Sequence, residues 1–282
     1  MKKVVVLGSS GMAGHMVYKF LETTGKYNIL GISRTQESGI TSELFDIEND
    51  LVECVKFLSK YKPDVIINCI GVLVKSSQDD PTRAIFTNSF WPHVLEDVSR
   101  ELNARLIHIS TDCVFDGKNG PYSETDWPTE KNWYGRSKAL GEIVNDRDLT
   151  IRTSIIGPEL KDDGTGLFEW FMQQTGEVSG FTNVMWNGIT TLELAKQIYR
   201  ILDTNLTGLY HLVTDVPISK GDLLVAMQNI FGKTDVKINL TVNNNQRNKV
   251  LINNRIDEYD PKIPTYEIQL IELKNINEQR NN

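Results

Sequence analysis

The chain has 282 residues, 40% of them hydrophobic and 24% charged. That composition excludes a disordered or collagen-like chain, and the length allows a large α/β unit with an appended lobe whose core needs no disulfide or structural metal. Thirty Lys and Arg against 37 Asp and Glu leave a formal charge of −7, which argues against nucleic acid as a partner because phosphate contacts need clustered cations.

Three cysteines, Cys54, Cys69 and Cys113, lie far apart without CxxC spacing, which reads as reduced thiols in a cytoplasmic protein. The apolar run after Lys3 stops at Gly8, too soon for a signal peptide. No stretch approaches the ~20 apolar residues of a membrane span, so no membrane partner is expected.

In chain order, β-branched apolar runs predict strands at 3–7, 29–33, 42–46, 64–69, 105–110 and 149–154. Amphipathic stretches between them predict helices at 12–24, 48–60 and 85–102. Runs that are apolar throughout suit strands buried on both faces. The alternation implies an α/β fold, a Rossmann-like doubly wound parallel sheet, with ligands beyond the carboxyl ends of its strands. After Ile155 the pattern loosens. Helices are expected at 166–174, 190–202 and 220–231 and a strand at 208–213. Residues 1–155 therefore read as a dinucleotide-binding domain and 156–282 as a smaller C-terminal lobe, with segments free to interleave. The abundant Asn near the C-terminus reads as compositional bias.

Gly8, Gly11 and Gly14 form GxxGxxG between the first strand and the first helix. Glycine permits the tight turn there and lets backbone N–H groups of the Ser10–Met12–Ala13 stretch reach a pyrophosphate at the helix N-terminus. The second strand ends in Ser33 and Arg34, where an NAD site usually places a carboxylate. A guanidinium instead pairs with a 2′-phosphate, so NADP(H) is the expected cofactor and NAD(H) the alternative. Asp46 ends the third strand and either accepts from the adenine amino group or caps the following helix.

Tyr134 and Lys138 form YxxxK on a predicted helix, a weak signal alone. The i,i+4 spacing puts both side chains on one face, and Ser110-Thr111-Asp112 ends a strand of the same sheet. An ammonium near Tyr134 lowers a phenol pKa that is otherwise ~10. Tyr134 then serves as proton donor, Lys138 supports it and the cofactor ribose, and Thr111 bonds the developing oxyanion.

These residues sit in longer motifs. Val6-Leu7-Gly8-Ser9-Ser10-Gly11-Met12-Ala13-Gly14, Ser110-Thr111-Asp112-Cys113-Val114-Phe115-Asp116-Gly117, Pro121-Tyr122-Ser123-Glu124, Asn132-Trp133-Tyr134-Gly135-Arg136-Ser137-Lys138 and Arg152-Thr153-Ser154 resemble those of extended short-chain dehydrogenases/reductases. Within them the chain is most similar to the dTDP-4-dehydrorhamnose reductase family. The resemblance implies a nucleotide-sugar substrate, a 4-keto-6-deoxy sugar reduced at C4. It places Gly11, Met12 and Ala13 at the pyrophosphate, Asp46 and Ile47 at the adenine, and Cys69, Ile70 and Gly71 beside the cofactor ribose. It also places Thr111 and Asp112 at the sugar, and a homodimer is one assembly left open.

The sequence departs from the family pattern at Cys113, Ile155 and the segment around Gly180-Phe181-Thr182-Asn183 and Trp186. The last lies where the family grips its nucleotide sugar. Asn183 and Trp186 are therefore candidate substrate contacts, and a UDP-linked acetamido sugar joins the dTDP-linked one as candidate substrate. A 4,6-dehydratase needs a Glu after Asp112, where this chain has Cys113. A bifunctional epimerase-reductase like GDP-fucose synthase fits Cys113 but lacks a His between Gly157 and Trp186. A non-catalytic subunit, like the regulatory subunit of methionine adenosyltransferase, is the reading from another class. His15, His93, His108 and His211 show no metal-ligand spacing and read as packing or surface residues; no metal site is expected.

Overall fold

The computed structural model describes residues 1–160, 164, 166–245 and 247–281, with the side chains of 279–281 excepted. Its centre is a seven-stranded sheet built from β1 (Lys3–Leu7), β2 (Asn28–Ser33), β3 (Ser42–Leu44), β4 (Val65–Asn68), β5 (Arg105–Thr111) and β6 (Leu149–Thr153), completed by a strand from the C-terminal part of the chain, Gly208–His211. The order is β3-β2-β1-β4-β5-β6 with Gly208–His211 at the far edge, and every pairing is parallel. The order reverses between β1 and β4, which opens a crevice beyond their carboxyl ends.

Side chains alternate across each strand. Val4 and Val6 join one core cluster and Val5 and Leu7 the other. On the first face α1 (Met12–Thr23) packs against the later helix Thr191–Ile201. The second face is covered by α2 (Leu51–Tyr61) and the helix Trp91–Leu102. Both faces of the strands are thus buried, as their continuous apolar runs require.

The helix expected over 85–102 is broken, and two short helices precede the break. α3 (Val74–Asp79) and α4 (Pro81–Ile85) come first, then a π turn at Phe86–Phe90, then α5 (Trp91–Leu102). Pro92 is the cause: it has no N–H to give the carbonyl four residues earlier, that of Asn88, and its ring crowds that carbonyl. α6 (Trp133–Leu140) packs into the gap, and a Cβ on Gly141, just past it, would lie 1.9 Å from the Asn88 oxygen.

The remaining chain forms β7 (Ile155–Ile156), α7 (Leu167–Gln173), β8 (Gly176–Phe181), β9 (Met185–Trp186), β10 (Ile189–Thr190), α8 (Thr191–Ile201), β11 (Gly208–His211), β12 (Ile218–Ser219), α9 (Lys220–Phe231), β13 (Val236–Thr241) and α10 (Tyr266–Asn281). β8 pairs with β13, β9 with β12 and β7 with β10, making a smaller lobe around α9. β11 and α8 return to the main sheet. Among the described residues no helix is long and apolar enough to cross a membrane.

The β1–α1 turn depends on contacts that only glycine allows. Gly8 has φ +78°, and a Cβ on Gly14 would stand 2.2 Å from the Gly8 carbonyl oxygen. Gly14→Ala is expected to force turn and helix apart at a cost of about 1–3 kcal/mol, the usual range for overpacking. A urea titration would show this as a lower midpoint with an unchanged slope.

Candidate active site

A cleft of about 440 Å³ opens beyond the carboxyl ends of β1, β2, β4, β5 and β6. The glycine turn forms its floor. No side chain caps the start of α1 and its first turn holds no acidic residue, so the first backbone N–H groups and the positive end of the helix dipole face the cleft uncontested. Gly8, Ser10, Gly11, Met12 and Ala13 line it, with Cys69, Ile70 and Gly71 opposite. At one end stand Ser33, Arg34, Asp46 and Ile47; at the other Thr111, Asp112, Tyr134 and Lys138.

Most of the polar side chains among these are held locally. Ser33 Oγ donates to the Thr35 carbonyl at 2.7 Å. Arg34 is exposed and has no hydrogen bond or ion pair among the described residues. Asp46 accepts from the Glu48 N–H at 3.3 Å and from Asn49 Nδ2 at 2.9 Å, so its carboxylate both shapes the turn before α2 and lines the cleft. Thr111 Oγ1 donates to Asp112 at 3.1 Å and accepts from the Cys113 N–H at 3.1 Å. Lys138 is buried, its Nζ donating to the Ile109 carbonyl at 2.7 Å.

Burial dominates the titrations here. It drives the Tyr134 phenol well above its ordinary value, with Cys113 and Asp112 adding to the rise and a hydrogen bond with Thr111 opposing it. The expected lowering by Lys138 is absent, because the amine turns inward to Ile109. Burial lowers Lys138 to about 8, against the pull of Glu142 and Cys69. It pushes the Cys69 and Cys113 thiols up to about 12, and raises the Asp112 carboxyl.

Three sequence-predicted contacts fall outside the cleft lining. Gly14 packs on Gly8, as described. Asn183 spends its side chain on Asn243, its Nδ2 donating to the Asn243 carbonyl and its Oδ1 accepting the Asn243 N–H, both at 2.8 Å. Trp186 is buried, its ring against Tyr266 and its Nε1 donating to Ser154 Oγ at 2.8 Å. Because Ser154 lines the cleft, Trp186 braces the wall from behind. The departure from the family pattern at this segment is thus met by packing partners. Thr153 and Ser154 at the end of β6, noted in the sequence only as part of a motif, also line the cleft, where the strand-end rule would place them. Sequence reasoning missed Arg83, whose Nε bonds Glu48 at 2.7 Å on the rim and whose position no local pattern marks. Among the described residues no group of three His, Cys, Asp or Glu could hold a metal ion.

The sheet order, the glycine turn at its reversal point and the Tyr–Lys pair beside it define the class: a Rossmann-type protein of short-chain dehydrogenase/reductase architecture. The chain belongs to the family described as the RmlD substrate binding domain, whose profile matches residues 1–249. Over 239 residues it is 30% identical to the "Probable low-salt glycan biosynthesis reductase Agl14" of Haloferax volcanii, covering 77% of this chain and 76% of that one. Over 142 residues it is 31% identical to methionine adenosyltransferase 2 subunit beta of Danio rerio, covering 50% of this chain and 42% of that one. The fold matches that of dTDP-4-dehydrorhamnose reductase from Bacillus anthracis, crystallised with NADP, at a TM-score of 0.83 and 21% identity over 98% of this chain and 99% of that one.

Asn183→Ala should act on stability. Losing two hydrogen bonds to one backbone unit is expected to cost roughly 1–3 kcal/mol, read as a lower melting temperature, while the Kd for NADPH stays within about twofold of the parent.

Proposed function

We propose that the protein uses NADPH to reduce the C4 ketone of a nucleotide-linked 4-keto-6-deoxy sugar, in deoxysugar and surface-polysaccharide synthesis. The observation that carries this reading is the meeting of Thr111, Tyr134 and Lys138 with the glycine turn in one cleft. A dTDP-linked sugar is the first substrate to test and a UDP-linked acetamido sugar the second.

The cleft suits a dinucleotide phosphate. Any side chain on Gly8 would meet Ile70 and the Cys69 backbone at 3.1–3.2 Å, so the turn keeps room for a pyrophosphate only as glycine. Arg34 would take the 2′-phosphate through its paired N–H donors, and Ile47 and Asp46 would border the adenine. The bound nicotinamide supplies a hydride. Tyr134, held protonated by burial, gives its proton to the C4 oxygen, and Thr111 donates to the same oxygen as charge builds. Lys138 steadies the phenolate that remains.

Two rivals stand against this reading. An epimerase-reductase would need Cys113 as a base, but a thiol titrating at about 12 stays protonated at neutral pH. The second acid/base such chemistry would need, a His between Gly157 and Trp186, is missing from the sequence, and His211 is buried outside the cleft on the Ile252 carbonyl. The match to a methionine adenosyltransferase subunit supports a regulatory reading; an enzyme that co-purifies stably, with no turnover of any nucleotide sugar, would favour it.

The cofactor assignment predicts a higher kcat/KM with NADPH than with NADH, and Arg34→Ala should abolish the preference; equal use by parent and variant would remove Arg34 from the site. For the chemical step, Tyr134→Phe should leave fold and NADPH binding intact and lower kcat by ~10²–10⁴. Loss of NADPH absorbance with a 4-keto-6-deoxy nucleotide sugar reads it, and near-parental kcat would falsify the mechanism.

A further inference from the structure

Behind the cleft lies a buried file of three polar side chains: Asn68 on β4, His108 on β5 and Lys138 on α6. Their exposures are 0%, 0% and 4%. The parallel register sets Asn68 directly beside His108, so the two side chains share one face of the sheet.

The hydrogen bonds then dictate a tautomer. Asn68 Oδ1 accepts the Ile70 N–H at 3.2 Å, so the amide nitrogen is the atom that faces His108 Nδ1, 3.0 Å away. An amide N–H is answered only by a lone pair, so Nδ1 carries no proton. Burial, with Lys138 and His93 adding to it, keeps His108 neutral, its pKa well below the ordinary value. The ring proton therefore sits on Nε2, and Nε2 faces the Lys138 amine at 3.4 Å. A neutral amine has a lone pair for that proton. An ammonium has none, and two donors would oppose each other.

We propose that Asn68 and His108 are a positioning pair that accepts Lys138 in its inward seat as a neutral amine and disfavours the ammonium there, so that the charged form is directed to acceptors supplied by cofactor and substrate on the cleft side. The inference rests on the reductase reading for the role of Lys138. It gives His108 a function that its place in an apolar strand conceals.

The surroundings leave few other sources of charge. Cys69 follows β4. Tyr134 shares α6 with Lys138, and Glu142 just beyond it is paired with Arg152 of β6. The turn at Asp112–Val114 brings Asp112 and Cys113 to Tyr134. The π turn packed on α6 has no titratable side chain; α3 carries only the exposed Lys75 and Asp79, and α4 only Arg83, which pairs with Glu48. His93 on α5, which also acts on His108, is exposed and paired with Glu96, its pKa raised, against the effect of burial, by that carboxylate and the Leu140 carbonyl. Lys138, lowered to about 8 by burial, is thus the buried group of the file expected to change charge between about pH 7 and 10.

Two measurements on the full chain test the pair. Long-range proton–nitrogen NMR of the imidazole rings, with His108 assigned by its loss in His108→Gln, should show a protonated Nε2 and a bare Nδ1. NADPH affinity, followed by fluorescence, should hold below about pH 8 and then weaken tenfold per pH unit, because only the ammonium is held in the complex. Asn68→Leu frees Nδ1 to take the ring proton. Nε2 then accepts from the ammonium, and the fall should begin about one pH unit higher. An Nδ1-protonated or doubly protonated His108 in the parent overturns the proposal, as does a pH profile shared by parent and variant. Should Asn68→Leu fail to fold, the parent's spectrum and pH profile decide. A protein with the Nε2 tautomer and this profile but no turnover supports the pair and refutes the reductase reading; turnover with the wrong tautomer does the reverse.

Discussion

One buried ion pair sets the spacing on which the cleft depends. Arg152 of β6 and Glu142 at the end of α6 are 3% and 6% exposed. Their two hydrogen bonds, at 2.7 and 2.6 Å, are bidentate. Ser110 Oγ donates to the same carboxylate at 2.7 Å, and the guanidinium lies over the Phe115 ring at 5.1 Å. Ser110 immediately precedes Thr111, and Phe115 ends the turn that follows it. The pair therefore ties the strand bearing Thr111 to the helix bearing Tyr134 and Lys138. Breaking such a pair typically costs about 3–5 kcal/mol, since an uncompensated charge would be left in the interior. His211 extends the constraint to β11. It is held neutral, its pKa lowered to about 3 by burial and by Arg152, with its Nδ1 on the Ile252 carbonyl and its bare Nε2 toward the guanidinium.

A second device ties the other wall of the cleft to the same helix. The proline-induced π turn points Asn88 inward, where its Oδ1 accepts the Val72 N–H at 2.8 Å and its Nδ2 donates to the Val72 carbonyl at 3.0 Å and to Ser137 Oγ at 3.1 Å. Ser89 Oγ reaches the Ser137 carbonyl at 2.7 Å. The loop after β4 and the middle of α6 are thus tied together through Asn88 and Ser89. A regular α-helix through 85–102 would turn these side chains onto different faces, so the helix break and the cleft share one cause in Pro92.

The main sheet was legible because its strands are apolar on both faces and lie between helices of clear period. Strands of two residues, such as β7, β9, β10 and β12, carry no period, and β13 (VKINLT) mixes charge and Asn with its apolar residues. That the β1–α1 glycines and the ends of β2 and β4 would line one cleft was legible because local sequence sets them. The partners of Asn183 and Trp186 were not. Asn183 and Trp186 differ from the family pattern, but a difference in sequence does not say whether the new side chain meets a ligand or a neighbour. Here Asn243 and Ser154 lie 60 and 32 residues away in the chain, beyond any local pattern. His108 escaped for the opposite reason: an isolated histidine within an apolar strand looks like packing until the register sets Asn68 beside it.

The charge states explain why the site suits reduction. A Tyr–Lys pair considered in water suggests a phenol made acidic by a nearby ammonium. In the folded chain the phenol and the amine are both buried, and burial opposes charge on each: it raises the tyrosine and lowers the lysine. The ligand-free site therefore holds Tyr134 protonated and a Lys138 that gives up its proton far more readily than an exposed lysine, at about 8. A protonated phenol is what a ketone needs as hydride arrives, whereas oxidation would begin by removing that proton from a site that resists its loss. In the proposed reaction a phenolate appears once the proton has moved to the substrate oxygen, and the low polarity that disfavours either charge alone then favours the Lys138 ammonium beside it. The site gains its ion pair only along the reaction, so the stabilisation falls on the transition state and product more than on the bound substrate.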